Sequence, residues 1–235
     1  MKRPLWWLAR NRREWLQERQ YAKPYHWSWR RNNALMYQLR TDVVLDLLGV
    51  SGRDSSNGGL RLLDVGCGDA RFLGDASRVT QACGVDVSFR ALVFARGLVP
   101  ESTFAQCSAA TLCFQDGTFD AVTLLDVIEH IPDGLELEVM REAHRVLRPG
   151  GHVVVTTNTD RTPTEWKHYR HYSLPRFQQL FDGLFSQFRV VGMVPYFPTL
   201  RAWLQTPVVW RLFQSRVCVC PPEKAHVIAG IGQKV

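Results

Sequence analysis

The chain has 235 residues, 46% of them hydrophobic and 22% charged. This is globular usage on a chain long enough to bury a full core, and it excludes wholesale disorder and fibrous repeats. The net charge of +7 is lopsided: residues 1–40 hold ten Lys/Arg against two Glu, and the rest of the chain is close to neutral.

Five of the eight Trp (Trp6, Trp7, Trp15, Trp27, Trp29) fall in the basic arm. No run of eighteen apolar residues occurs, so no membrane-spanning helix is expected, and Met1-Lys2-Arg3-Pro4 does not read as the start of a secretory leader. The six cysteines, Cys67, Cys83, Cys107, Cys113, Cys218 and Cys220, form no CxxC pair. They are expected as small core residues in a reducing, cytoplasmic setting rather than as a zinc site or disulfide framework.

In chain order, residues 5–20 read as a short amphipathic helix ending before Lys23-Pro24. Residues 28–48 read as a second helix with Leu35, Leu39, Val43 and Leu47 on one stripe. The Gly/Ser/Asn/Asp-rich stretch Ser51–Gly59 is a loop. Strands and helices then alternate: a strand over Leu60–Val65, a helix over Ala70–Arg78, a strand over Ala82–Asp86, a helix over Phe89–Gly97 and a strand over Thr103–Gln106. A strand over Phe119–Leu125, a helix over Leu135–Leu147, a turn through Gly151 and a strand over His152–Thr157 follow. Such alternation predicts a mostly parallel sheet with helices on both faces. Further on come a helix over Pro175–Leu184, a strand over Phe188–Val194, an amphipathic segment over Thr199–Arg216 broken at Pro207, and a last strand within Ala225–Gln233. The expected organisation is a basic, Trp-rich helical cap over 1–50 and an α/β domain over 60–235 with 199–216 inserted.

Two features carry chemistry. Asp64-Val65-Gly66-Cys67-Gly68-Asp69-Ala70 lies where the first strand passes into a helix, and glycines there let the backbone turn sharply and approach a ligand. Gly84-Val85-Asp86 places a carboxylate at the tip of the second strand, where an α/β nucleotide fold accepts ribose hydroxyls. Together they favour a nucleoside cofactor. A dinucleotide fingerprint is incomplete, because Ala70 and Phe72 follow Gly68 and the next glycine is Gly74.

The glycine turn resembles motif I of class I S-adenosylmethionine (SAM)-dependent methyltransferases, with Ala70 where the last glycine stands. Phe119-Asp120-Ala121-Val122 resembles the family's fourth strand, Leu125-Asp126-Val127-Ile128-Glu129-His130-Ile131 its post-strand segment, and Leu147-Arg148-Pro149-Gly150-Gly151 the turn into its fifth strand. The likeness is strongest over residues 60–157 and is of the type 11/23, ubiquinone-pathway kind. It implies a Rossmann-like sheet of seven strands with the last antiparallel, capped by N-terminal helices. It also implies SAM held by Asp64, Gly66, Cys67, Gly68, Asp86, Val87, Ser108, Ala109, Leu125 and Asp126. Ser108 departs from the family, which often places an acid there for the adenine amino group.

Tyr25–Arg31 resembles an aromatic-plus-arginine block of a bacterial subgroup. His168-Tyr169-Arg170-His171-Tyr172 resembles a His-x-Arg-x-Tyr/Phe segment after the fifth strand. Acceptor contact is expected from His168 and His171, with His130 as a further base near neutral pH, and His26 is a weaker candidate.

Asp126, Glu129 and His130 share a face if a helix starts near Asp126, and can then bind Mg²⁺ or Mn²⁺. Ubiquinone-pathway O-methyltransferases and small-RNA 2′-O-methyltransferases carry a similar Glu-x-x-Glu-His pattern. The alternative, taken here, is capping and pocket lining without metal.

The basic arm reads as a solvated lid, as a helix on an anionic membrane, or as a track for nucleic-acid phosphates. The basic-aromatic segment 199–216 favours a membrane or lipid-like partner. The expected activity is methyl transfer to a hydroxyl of a small-molecule or lipid-like acceptor. An RNA 2′-O-methyltransferase and a non-catalytic binding module that kept the fold are the rivals.

Overall fold

The computed structural model describes residues 18–27, 34–50, 60–76, 80–193 and 219–235. The helix expected over 5–20 lies outside these residues except at 18–20, which are helical. The loop at 51–59 and the segment 199–216 also lie outside them.

Along the chain run α1 (Ala34–Leu47), β1 (Leu60–Val65), α2 (Arg71–Ala76), β2 (Thr80–Asp86), α3 (Phe89–Leu98), β3 (Thr103–Gln106) and β4 (Phe119–Leu125). Then follow α4 (Glu136–Val146), β5 (Leu147–Asn158), α5 (Leu174–Gln179), β6 (Ser186–Met193), β7 (Val219–Cys220) and β8 (Val227–Gln233). The strands form one sheet in the order β3-β2-β1-β4-β5-β8-β6-β7. β1 to β5 are mutually parallel, and β8 runs antiparallel to both β5 and β6.

The antiparallel last strand is as expected, but the sheet has eight strands, not seven. The extra β7 is a two-residue edge pairing of Val219 and Cys220 with β6, too short to leave a periodic signal. The C-terminal helix is also shorter than expected: α5 ends at Gln179, and Phe181 and Phe185 are carried on the turns that follow.

The central strands are apolar on both faces because helices cover both. Alternation within β4 and β5 divides the core. Val122, Leu124, Val153 and Val155 join Val139, Met140 and Ala143 of α4 and the Phe177/Phe181 cluster on one face. Ala121 and Val154 join Val44 of α1, Leu73 of α2 and Leu92 and Ala95 of α3 on the other. On the stripe expected for α1, Val43 is buried, and its neighbours Val44 and Thr41 are buried with it. β8 sits close beneath aromatic rings: a Cβ on Gly230 would lie 2.8 Å from Phe177 Cε1. Of the described cysteines, Cys67 is buried and Cys113 is exposed, so Cys113 is not the core residue its sequence setting suggested.

Because β1, β2, β4 and β5 run parallel, their C-terminal ends meet along one edge of the sheet. In open α/β sheets ligands bind at that edge.

Candidate active site

The turn after β1 is lashed to the end of β2. Gly66 N–H and Cys67 N–H both donate to Val85 O, at 2.7 and 2.9 Å, and Gly68 N–H donates to Asp86 Oδ2 at 2.9 Å. Gly66 and Gly68 hold φ of 74° and 55°, and Ala70 takes 60° despite its Cβ. A Cβ on Gly66 would come 2.5 Å from Val127 Cγ2. Glycine is therefore demanded at 66 by the backbone and by Val127, before any cofactor is considered.

Asp86 is 5% exposed, and its other oxygen accepts from Ser88 N–H at 2.7 Å. Burial raises its pKa, while the Ser88 and Gly68 bonds oppose that shift. Each oxygen keeps a lone pair for a ribose hydroxyl. Val87 beside it is half exposed and apolar. Ser108 and Ala109 follow β3, and the Ser108 hydroxyl accepts from Ala110 N–H at 3.2 Å. Asp64, expected as a cofactor contact, is buried and accepts from Thr123 Oγ1 at 2.7 Å within the sheet. Burial pushes its pKa up to about 7.

The cap residues rest on this turn. Asp69 is fully buried and accepts His26 N–H at 2.8 Å and His26 Nδ1 at 2.6 Å, while its carbonyl accepts Trp27 Nε1 at 2.9 Å. Trp27 lies under the Arg71 guanidinium at 4.8 Å. The Tyr21 hydroxyl stands over Gly68, only 2.5 Å from where a Cβ would be. Tyr21 and Asp69 were not singled out from sequence. Asp69 follows the glycine pair like any surface-turn acid, and only the fold shows that it is buried beneath the cap.

At the end of β4 the helix expected from Asp126 does not form. Asp126 has φ of 55°, and helical geometry appears only as the single turn Ile128–His130. Asp126 N–H donates to Thr156 O at 3.1 Å, its Oδ1 accepts Thr156 Oγ1 at 3.1 Å, and its Oδ2 pairs with Arg40 of α1. Leu125, at the end of β4, precedes this bend. Glu129 instead turns inward: it is fully buried and accepts Thr157 Oγ1 at 3.0 Å and Asn158 Nδ2 at 3.1 Å. Burial, then the nearby Asp126 charge, push its pKa up to about 8. The metal-binding face of Asp126, Glu129 and His130 is thus not assembled. Among the described residues no group of three His, Cys, Asp or Glu is placed to hold a metal ion.

The three expected histidines do come together. His168 Nδ1 lies 2.7 Å from His171 Nε2, and the His130 and His168 rings meet edge to face at 4.6 Å. His130 Nδ1 faces Lys167 O at 3.3 Å. Burial lowers the pKa of His130, and it drives that of His168 down to about 3, helped by the neighbouring His130, Lys167 and His171. Both rings are therefore neutral at pH 7.

Residues 63–155 match the family profile described as a methyltransferase domain. The chain is 36% identical over 126 residues to a ubiquinone biosynthesis O-methyltransferase of Alkalilimnicola ehrlichii, covering 51% of this chain and 47% of the relative. The chain is 28% identical over 202 residues to a 2-methyl-6-phytyl-1,4-hydroquinone methyltransferase of Synechocystis sp., covering 74% and 61%. It spans about half of the first relative's length and three fifths of the second's. The fold matches Haemonchus contortus phosphoethanolamine N-methyltransferase 2 in complex with SAM at a TM-score of 0.66 and 19% identity, over 94% of this chain and 59% of that one.

The groups at this edge would fit SAM: a carboxylate at Asp86 with lone pairs left over, the backbone of the Gly66–Gly68 turn, and the half-exposed apolar side chain of Val87. Asp86→Ala should weaken SAM binding by roughly 2–3 kcal/mol, because a charge-assisted acceptor is lost. Calorimetric titration of the folded variant checks this, and unchanged affinity would defeat the assignment.

Glu129 yields a second test. Its folded pKa is raised from 4.5 to about 8, so its contribution to stability is fully present below 4.5 and is lost as pH rises through about 8. Glu129→Gln removes that titration. Urea unfolding at several pH values should show the wild type losing stability relative to the variant between those limits. A difference that is flat with pH would contradict the buried, protonated carboxyl.

Proposed function

We propose that this chain moves the methyl group of SAM to a hydroxyl oxygen of a small, apolar, quinol-like acceptor. The observation that carries this reading is that the glycine turn with Asp86 and the cluster His130/His168/His171 lie on one edge of the same sheet. The first fits a nucleoside, and the second offers ring nitrogens that can accept a hydrogen bond from an O–H. The quinone-pathway names of the relatives support the acceptor class.

SAM supplies a methyl group on a positively charged sulfonium. On this reading Asp86 accepts from the ribose, the Gly66–Gly68 backbone receives the methionine end, and Ser108 and Ala109 edge the adenine. Tyr21, His26 and Trp27 cover the turn and exclude water. Rate comes mainly from holding the acceptor oxygen in line and near the methyl carbon, at about 3 Å, in a desolvated site. The imidazole nitrogens accept a hydrogen bond from the hydroxyl and orient its oxygen toward the methyl carbon.

Incubation with SAM and a panel of catechols and demethylated quinols, with an ethanolamine amine and an RNA alongside, tests it. S-adenosylhomocysteine release with an O-methyl product confirmed by mass spectrometry is expected. Methylation confined to the amine or the RNA would overturn the reading.

We also propose that residues 1–20 meet an anionic membrane, which brings the site to lipid-like acceptors. Two things support this: the ten Lys/Arg against two Glu over residues 1–40, and Trp6, Trp7 and Trp15 interleaved with the basic residues. No helix among the described residues is long and apolar enough to cross a membrane. Each basic group near such a surface adds on the order of 1 kcal/mol, less when screened by salt. Full-length protein should co-sediment with phosphatidylglycerol vesicles at low salt and release at high salt, and deletion of residues 1–20 should abolish binding. Equal binding by the truncated chain would remove the arm from this role.

A further inference from the structure

The hydrogen bonds around His171 determine where the protons of the histidine cluster sit. Thr162 Oγ1 donates to Thr159 O at 2.9 Å, which uses its one hydrogen. Toward His171 Nδ1, 3.0 Å away, that oxygen therefore only accepts. The Thr162 carbonyl, 2.9 Å from the same nitrogen, also only accepts. Two acceptors facing one ring nitrogen require Nδ1 of His171 to carry hydrogen, and in a neutral imidazole Nε2 is then bare. His171 Nε2 lies 2.7 Å from His168 Nδ1, so His168 Nδ1 brings the hydrogen to that bond. The tautomer left on His168 has a bare Nε2, and that atom makes no hydrogen bond among the described residues.

His130 follows the same logic, since its Nδ1 faces the Lys167 carbonyl. The cluster thus offers acceptors and no spare donors to a ligand. That wall selects a molecule that brings its own hydrogen, a hydroxyl, over an ether or a fully ionised oxyanion.

We infer that His168 presents a bare Nε2 to the O–H of the acceptor, and that His171 and Thr162 are positioning residues that lock His168 in this tautomer. The inference rests on the hydroxyl-acceptor reading above. In the step it serves, the O–H donates a hydrogen bond to His168 Nε2 and the acceptor oxygen, so oriented, forms its bond to the methyl carbon. The carbon–sulfur bond breaks with its electron pair left on sulfur. The positive charge passes from sulfur to the methylated oxygen, which gives up its proton to water. His168 Nδ1–H stays bonded to His171 Nε2 throughout.

The test is an NMR measurement on the full chain labelled with ¹⁵N-histidine. Two-bond ¹H–¹⁵N correlations distinguish Nδ1–H from Nε2–H imidazoles, and the His168 signals are assigned by their loss in His168→Gln. The wild type should show His168 as the Nδ1–H tautomer. His171→Leu removes the acceptor that holds it and should shift His168 toward Nε2–H. His171→Gln, whose amide oxygen can accept in place of Nε2, should restore Nδ1–H.

With a hydroxyl acceptor, kcat should fall about tenfold or more in His171→Leu at unchanged KM for SAM, and recover in His171→Gln. An Nε2–H or doubly protonated His168 in the wild type would overturn the inference whatever the acceptor proves to be. So would full kcat in His171→Leu. An Nδ1–H signal in a protein that methylates no hydroxyl would overturn the hydroxyl-acceptor reading, and with it the catalytic use of Nε2, while leaving the tautomer assignment standing.

Discussion

The candidate site is organised around the binding of the turn after β1 to the tip of β2. Three successive backbone N–H groups, those of Gly66, Cys67 and Gly68, find their acceptors on Val85 and Asp86. The turn cannot relax without orphaning buried donors, and an unmet buried donor costs roughly 1–3 kcal/mol. Everything else at this edge is placed against it. Asp69, the next residue, catches His26 and Trp27, Tyr21 lies over Gly68, and Val127 from the β4 side closes on Gly66. The cofactor cradle and the cap therefore share one scaffold of backbone hydrogen bonds.

Asp64, Asp86 and Glu129 have raised pKa values and His130 and His168 lowered ones, all with burial as the first cause. The charged pair Arg40–Asp126 lies between α1 and the end of β4, with each side chain about a quarter exposed. Burial keeps the His130 and His168 rings neutral, which makes them hydrogen-bond acceptors for a donor group rather than sites for a cation.

The alternation of strands and helices was legible because β1 and β4 are apolar runs bounded by turn residues. The glycine turn and Asp86 were legible for the same local reason: their spacing follows from strand length. No helix starts at Asp126, whose φ is positive and whose carboxylate meets Thr156 and Arg40, residues distant in sequence, and no local pattern records that. The inward turn of Glu129 onto Thr157 and Asn158 escaped for the same cause. His168 and His171 could be named from their segment, but Thr162, which decides their protons, is an ordinary loop threonine until the chain brings it within 3.0 Å. β7 is two residues long and carries no period at all.

The position of β8 has a consequence for how the chain reaches its native state. Between β5 and β6 lies only β8, the last strand in sequence, hydrogen-bonded along both flanks. Until residues 227–233 have left the ribosome, β5 presents an open parallel-sheet edge, and β6 has no partner among β1 to β5. Phe177 and Phe181 then have no Gly230 to pack against. A chain made only as far as β6 therefore carries an exposed strand edge at β5. Exposed edges of that kind are where misassembly begins, so the stretch of synthesis between β5 and β8 is a vulnerable one.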